Sequence, residues 1–94
     1  MPDLRFEWNS AKAARNQTDH GVSFETATLV FNDPFALEWR DDREDYGEDR
    51  YVILGSVDGR LLCVVYTPRG DICRIISARG AETHERRRYH EEDR

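Results

Sequence analysis

Two cysteines, three prolines, one methionine and a single lysine are all that the 94 residues hold of those types. Cys63 and Cys73 each stand inside an apolar run, with no CxxC pair and no histidine at metal-ligand spacing, which predicts reduced core thiols rather than a redox pair or a zinc site. No apolar run approaches the roughly 18 residues of a membrane span. The opening MPDLRFEW also lacks the apolar stretch of a signal peptide, so a soluble, cytoplasmic protein with no membrane partner is expected. HExxH, the Walker glycine loop and G-x-S-x-G are absent. The acids between residues 41 and 49 lack the order and the closing glutamate of a calcium loop. No metal and no other cofactor is expected.

What is present is enough for one fold. With 38% hydrophobic and 11% aromatic residues the chain can bury a modest core although 35% of it is charged, and its length predicts a single domain over residues 1–94. The formal charge of −5 argues against non-specific nucleic-acid binding by the whole surface. A local exception stands out. Six arginines (Arg69, Arg74, Arg79, Arg86, Arg87, Arg88) lie between residues 69 and 90 against three acids (Asp71, Glu82, Glu85).

In chain order, Leu4 to Trp8 alternates apolar and charged residues as a short strand, and Asn9 offers a cap to a helix from Ser10 to His20 that Gly21 ends. Ser23 caps a second helix, whose Phe24, Ala27 and Phe31 fall on one side, until Asn32-Asp33-Pro34 stops it. Phe35 to Arg40 reads as a strand and residues 41–49 as a solvated acidic loop. Three strands follow, joined at Asp58-Gly59 and Pro68-Arg69-Gly70. If Thr67 opposes Asp71, one face carries Val52, Leu54, Leu61, Cys63, Val65, Cys73 and Ile75, with Arg50, Ser77 and Arg79 towards its ends. That face is expected to receive the helices. The other carries Tyr51, Ile53, Val64, Tyr66, Ile72, Arg74 and Ile76. The segment from about Glu82 to Glu92 has helix formers but only Tyr89 as a large apolar side chain, which predicts a helix that is not a core element, supported by the spacings Glu85–Tyr89, Arg87–Glu91 and Arg88–Glu92. The order predicts an α+β domain with helices segregated from an antiparallel sheet.

Three constellations carry possible chemistry. Lys12, Asn16 and His20 recur every four residues on one face of the first helix, where the plain alternative is a solvated surface. Tyr66 and Arg74 are diagonal neighbours in the expected register, and Arg74 needs either an acid from the 41–49 loop or a phosphate. Ser77 and Arg79 precede a helix start, which favours an anion. The Arg86–Arg88 run covers too wide an arc for one tight site and reads as a solvated or partner-facing helix. A free-standing DNA-binding protein would need a recognition helix with a core-facing side, which the last helix lacks.

FEW followed by Lys12 and Asn16, then HGVSFETATLVFNDP, YGEDRYVILG, RLLCVVYTPRGD and RIISARGA with Glu85 and Tyr89, resemble the BrnT-type toxins of type II toxin–antitoxin modules over nearly the whole chain. HGVSFE and RIISAR in this order carry most of the specificity. The resemblance implies a RelE-like α+β fold, an antiparallel sheet with two N-terminal helices packed on one side and a polar C-terminal helix. It also implies a ribonuclease that works without metal and a BrnA-like antitoxin of the ribbon-helix-helix class, with operator DNA reached only through the antitoxin complex. The chain departs at Asp19, Gly80 and Glu82, where that family usually has lysine, lysine and threonine. Glu82 also removes the hydroxyl of a capping box with Glu85, so a loosely started last helix is expected. These departures raise a second reading, a weak or inactive homologue that acts as a co-repressor with its antitoxin.

Metal-free cleavage of RNA requires a base for the 2′-OH proton, cations for the phosphorane and an acid for the 5′ oxygen. Arg74 and Arg79 are the expected phosphorane ligands. His20 is the candidate acid or base, since histidine ordinarily titrates near about 6.5, with Tyr66 and Lys12 as further candidates. Arg69, Ser77, Tyr51 and Arg86 are expected to contact RNA. Arg74 and Arg79 differ in strand parity, so both can serve one site only if the strand twists or bulges near Ser77.

Overall fold

The computed structural model of the chain describes residues 4–92, without the side chain of residue 92. Strand β1 (Arg5–Glu7) leads into helix α1 (Ser10–His20), whose first turn is closed by Asn9 Oδ1 accepting from the Lys12 N–H at 3.0 Å and which ends at Gly21. Ser23 Oγ caps α2 (Phe24–Thr28) by accepting from the Thr26 N–H. The expected long second helix tightens into a 3-10 turn over Leu29–Asn32 instead, which turns Val30 into the core and leaves Phe31 half-buried. Gly55 accommodates that turn: a Cβ there would stand 2.9 Å from Val30 Cγ1.

Strands β2 (Leu37–Arg40), β3 (Tyr51–Val57), β4 (Arg60–Arg69) and β5 (Ile72–Gly80) form an antiparallel meander, and β1 joins β5 in parallel, giving the order β1-β5-β4-β3-β2. Asp58 and Gly59 both have positive φ, the geometry of the expected two-residue turn between β3 and β4. The second hairpin departs from expectation. Its loop is Gly70-Asp71, so Arg69 opposes Ile72 and Thr67 opposes Arg74, not Asp71. Between Tyr66↔Ile75 and Val65↔Ser77 the ladder slips by one residue, leaving Ile76 as the extra residue of a β-bulge.

The turn register and the bulge together re-sort the faces. Cys73 and Ile75 share a side with Tyr66, whereas Arg74, Ser77 and Arg79 all share a side with Cys63, Val65 and Thr67. The N-terminal helices do not take the face expected for them. Val22, Phe24, Ala27 and Val30 pack instead on Ile53, Leu62, Val64, Tyr66, Ile75 and Ala78. The reason is that β3 and β4 are buried on both sides, from Val52 to Gly55 and from Leu61 to Val64, so alternation separates two apolar sets without saying which helix covers each.

Helix α3 (Thr83–Glu92) covers part of the opposite face. Contrary to the expectation for a helix so polar, it buries Tyr89 against Val52, Leu54, Leu61 and Cys63, and the Tyr89 hydroxyl donates to Asp33 Oδ2 at 2.6 Å. Against the burial that would raise it, hydrogen bonds from Tyr89, Ser56 and Phe35 hold the Asp33 carboxyl below its ordinary value. Glu85, one turn before Tyr89, is buried beside it. Arg88 lies over the Trp39 ring at 4.7 Å, and its expected pairing with Glu92 falls outside the described side chains.

Candidate functional site

A groove of about 820 Å³ opens on the α3 face, between the loop after β2, the free end of β5 and the start of α3. Ser77 and Arg79 come to it from β5, His20 from the end of α1, Arg40 and Arg43 from β2 and its loop, and His84 and Glu85 from the first turn of α3. His20 reaches it because α1 lies along the stretch of β5 that β1 leaves unpaired. There the Asn16 carboxamide takes the place of a neighbouring strand: Nδ2 donates to Ala78 O at 2.8 Å and Oδ1 accepts from the Ala78 N–H at 3.1 Å. The same Nδ2 donates to Val22 O at 3.0 Å. Asn16 is thus a buried clamp, not a surface amide beside Lys12 and His20.

Arg79 is the central cation. Its Nη1 and Nη2 donate to the two oxygens of Glu85 at 2.8 and 3.0 Å, a fork-to-carboxylate pair in which the Glu85 side chain is 9% exposed and that of Arg79 35%. Glu85 Oε1 also accepts from the Glu82 N–H at 2.8 Å, and Cys63 Sγ donates to Oε2 at 3.6 Å. The Arg79 guanidinium, ahead of the opposing effect of burial, holds the Glu85 carboxyl at about 2. Burial pushes the Cys63 thiol up to about 11, so it is not a ready nucleophile. The helix start expected to await an anion therefore already holds one, and the half of the capping box supplied by Glu85 is made although Glu82 replaces the hydroxyl.

The acidic loop is better anchored than a solvated loop. Asp41 is buried, accepts from Nε and Nη2 of Arg43 at 2.8 Å each and from the Tyr46 hydroxyl at 3.2 Å, and is held at about 2 chiefly by Arg43. Arg40 pairs with Asp42 at 2.8 Å and Asp49 at 2.7 Å. Each of the groove's arginines thus has a carboxylate partner, and Asp41, Asp42, Glu82 and Glu85 outnumber Arg40, Arg43 and Arg79 along its walls.

The other expected residues fall around this groove. Lys12 is exposed in an adjoining depression that also includes His20 and the bulge residue Ile76. Arg74 is on the groove's face but towards β1, where it is ion-paired with Glu7, its neighbour across the parallel ladder, and not with the 41–49 loop. Arg69 is exposed, 3.8 Å from Glu48, and Arg86 is exposed on α3. Tyr66 and Arg74 are not diagonal neighbours, because the observed register puts them on opposite faces. Tyr66 packs among the N-terminal helices, stacked on Tyr51 with ring centroids 5.7 Å apart and edge-on to Phe31. Its hydroxyl donates to Glu38 at 2.5 Å, and burial, then Glu38, drives its titration above the ordinary tyrosine range. Arg40, Arg43, His84 and Glu85 line the site although none was expected to carry chemistry. Only Glu85 carried a signal, in its one-turn spacing from Tyr89, its capping-box position and its place in the resemblance.

Among the described residues no group of three or more His, Cys, Asp or Glu side chains is arranged to hold a metal ion, and no helix is long and apolar enough to cross a membrane. Residues 8–85 match the family described as the ribonuclease toxin, BrnT, of type II toxin–antitoxin systems. No curated protein matches the chain.

Proposed function

The chain belongs to the family of BrnT ribonuclease toxins of type II toxin–antitoxin systems, and from that premise we propose that it cleaves RNA in the α3-face groove by attack of the 2′-hydroxyl, without a metal ion. The observation that carries this reading is the bulge at Ile76, which brings Arg74, Ser77 and Arg79 to one face of the sheet beside His20. Arg79 is the phosphorane ligand, assisted by Arg74 where the RNA backbone continues along the same face. The 2′ oxygen forms a bond to phosphorus as its proton passes to a base. The bond to the 5′ oxygen then breaks, and that oxygen takes a proton from an acid. The products are a 2′,3′-cyclic phosphate and a free 5′-hydroxyl. His20 is the acid or base at the groove, with Lys12 next to it. Ser77, Arg69 and Arg86 contact the phosphate backbone, while Tyr51 and Tyr66 serve the core of the opposite face.

The proposed partner is a BrnA-like ribbon-helix-helix antitoxin, which covers the toxin and brings the pair to operator DNA. The test is cleavage of an RNA transcript by purified, antitoxin-free protein in the presence of EDTA. Cyclic-phosphate ends and a loss of cleavage in Arg74→Ala and Arg79→Ala are expected. Unchanged cleavage in both variants would sink the assignment.

A second reading has its own support, the carboxylates that already occupy the groove's arginines. A toxin homologue whose cations are so engaged attracts RNA weakly and acts as a binding module and co-repressor with its antitoxin. Induction of the gene alone and with the antitoxin gene separates the two. Growth arrest relieved by the antitoxin supports the enzyme, and undisturbed growth at good expression supports the module.

A further inference from the structure

We propose that Glu85 is a positioning residue for RNA cleavage, acting through Arg79; this rests on the reading of Arg79 as the phosphorane ligand. A free arginine side chain samples many rotamers, and a cation stabilises developing charge only if its donors already point at it. Arg79 lies near the end of β5, beyond its pairing with β1, with its side chain partly in solvent, and its own strand holds the head only through Nη1 to the Gly80 carbonyl at 3.2 Å, which leaves the plane of the fork unfixed. Glu85 does, because its two oxygens take both Nη atoms and the carboxylate is itself held from two other directions, by the Glu82 N–H and by Cys63 Sγ. Each lock comes from a different element: β5 supplies Arg79, β4 supplies Cys63 and α3 supplies Glu85. The anchoring of Tyr89 to Asp33 then fixes the helix that carries Glu85. Nη1 gives its second N–H to the Gly80 carbonyl at 3.2 Å, but Nη2 keeps one N–H and Nε its own that no described residue takes, so the guanidinium can donate to a phosphate while the carboxylate holds it.

Glu85→Gln isolates this role. Glutamine keeps the length and can still accept from the Glu82 N–H, since both residue types close a capping box, but it loses the charge and the second acceptor oxygen that hold the fork. The experiment measures cleavage of an in vitro transcript by antitoxin-free wild type, E85Q, R79A and the double variant, with the rate at saturating RNA separated from the RNA concentration giving half that rate. E85Q is expected to lower the saturated rate about 10- to 100-fold with half-saturation moving less than about threefold. In the R79A background the same change is expected to have no further effect, because the residue it orients is gone. Glu85→Asp, which keeps the charge but is one methylene too short to span Arg79 and the helix start, is expected to lose about tenfold and serves as the second variant where E85Q does not fold. An E85Q or E85D enzyme with the wild-type rate, or one whose defect multiplies with that of R79A, overturns the positioning role. A wild-type rate in R79A overturns the assignment of Arg79 instead, and a wild type that leaves the transcript intact overturns the ribonuclease reading and the positioning role together.

Discussion

On one face of the sheet Phe24, Val30, Leu62, Val64 and Ile75 meet in one apolar cluster, and on the other Tyr89 is the single large apolar side chain that α3 brings to Leu54 and Cys63. The strands are the same in both cases. The first face is closed by area removed from water, which is non-directional and tolerates no gap. The second is closed by directional contacts, Tyr89 to Asp33 and Arg79 to Glu85 to the α3 start, which hold a helix without filling the space beneath it. The unfilled space is the groove. The contrast teaches that this fold places the apolar residues of its helices almost wholly on one side, so that the helix on the other can present charged groups in fixed positions.

The largest break in that comparison is Phe24→Ala. Phe24 is fully buried and lies edge-on to Trp8, so its truncation leaves a cavity under both N-terminal helices and is expected to cost about 3–5 kcal/mol, read as a lowered midpoint in urea. Next is Asn16→Ala, with an expected loss of about 2–4 kcal/mol, because the buried N–H and C=O of Ala78 and the carbonyl of Val22 lose their partner. This variant links the two faces. Ala78 lies between Ser77 and Arg79, so cleavage should fall more than the change in folded fraction explains.

Much of the first face was legible from the chain. Asn9, Gly21 and Ser23 announce helix ends through chemistry local to a few residues, and Asp58-Gly59 announces its turn in the same way. The groove was less legible because it depends on an insertion of one residue at Ile76, which no local preference marks, and on a register set by the Gly70-Asp71 turn rather than by the proline before it. Parity alone separated Arg74 from Arg79, and only a bulge could reunite them. Glu85 was hidden for another reason. A glutamate among arginines on a polar helix looks like a solvated charge until the helix is docked, and what docks it is one tyrosine whose partner, Asp33, is 56 residues away.

Acid sharpens the difference between the faces, since the first contains few titrating groups. Glu85 is held at about 2, below the ordinary carboxylate value, so its contribution is fully present above about pH 4.5 and is lost as pH falls towards 2. Asp41 titrates in the same window through Arg43. The difference in unfolding free energy between wild type and Glu85→Gln is therefore the informative quantity. It should be on the order of 2 kcal/mol at pH 6 and shrink as pH approaches 2. A difference that stays constant across that range would mean that the carboxylate charge does not hold α3 to the sheet.

The smallest expected effect tests the anchor alone. Tyr89→Phe keeps the ring among Val52, Leu54 and Leu61 and removes only the hydroxyl that reaches Asp33. The Asp33 carboxylate keeps the Ser56 and Phe35 N–H groups, so it is not left unsatisfied, and the loss should be about 1 kcal/mol rather than the cost of an orphaned buried charge. The effect should also be local: amide exchange is expected to quicken through α3 while the amides of α1 and β4 keep their protection. Equal quickening on both faces would mean that α3 and the N-terminal helices open as one unit. In that case the polar face is not separately held, and the fixed position of Glu85 derives from the core on the other side of the sheet.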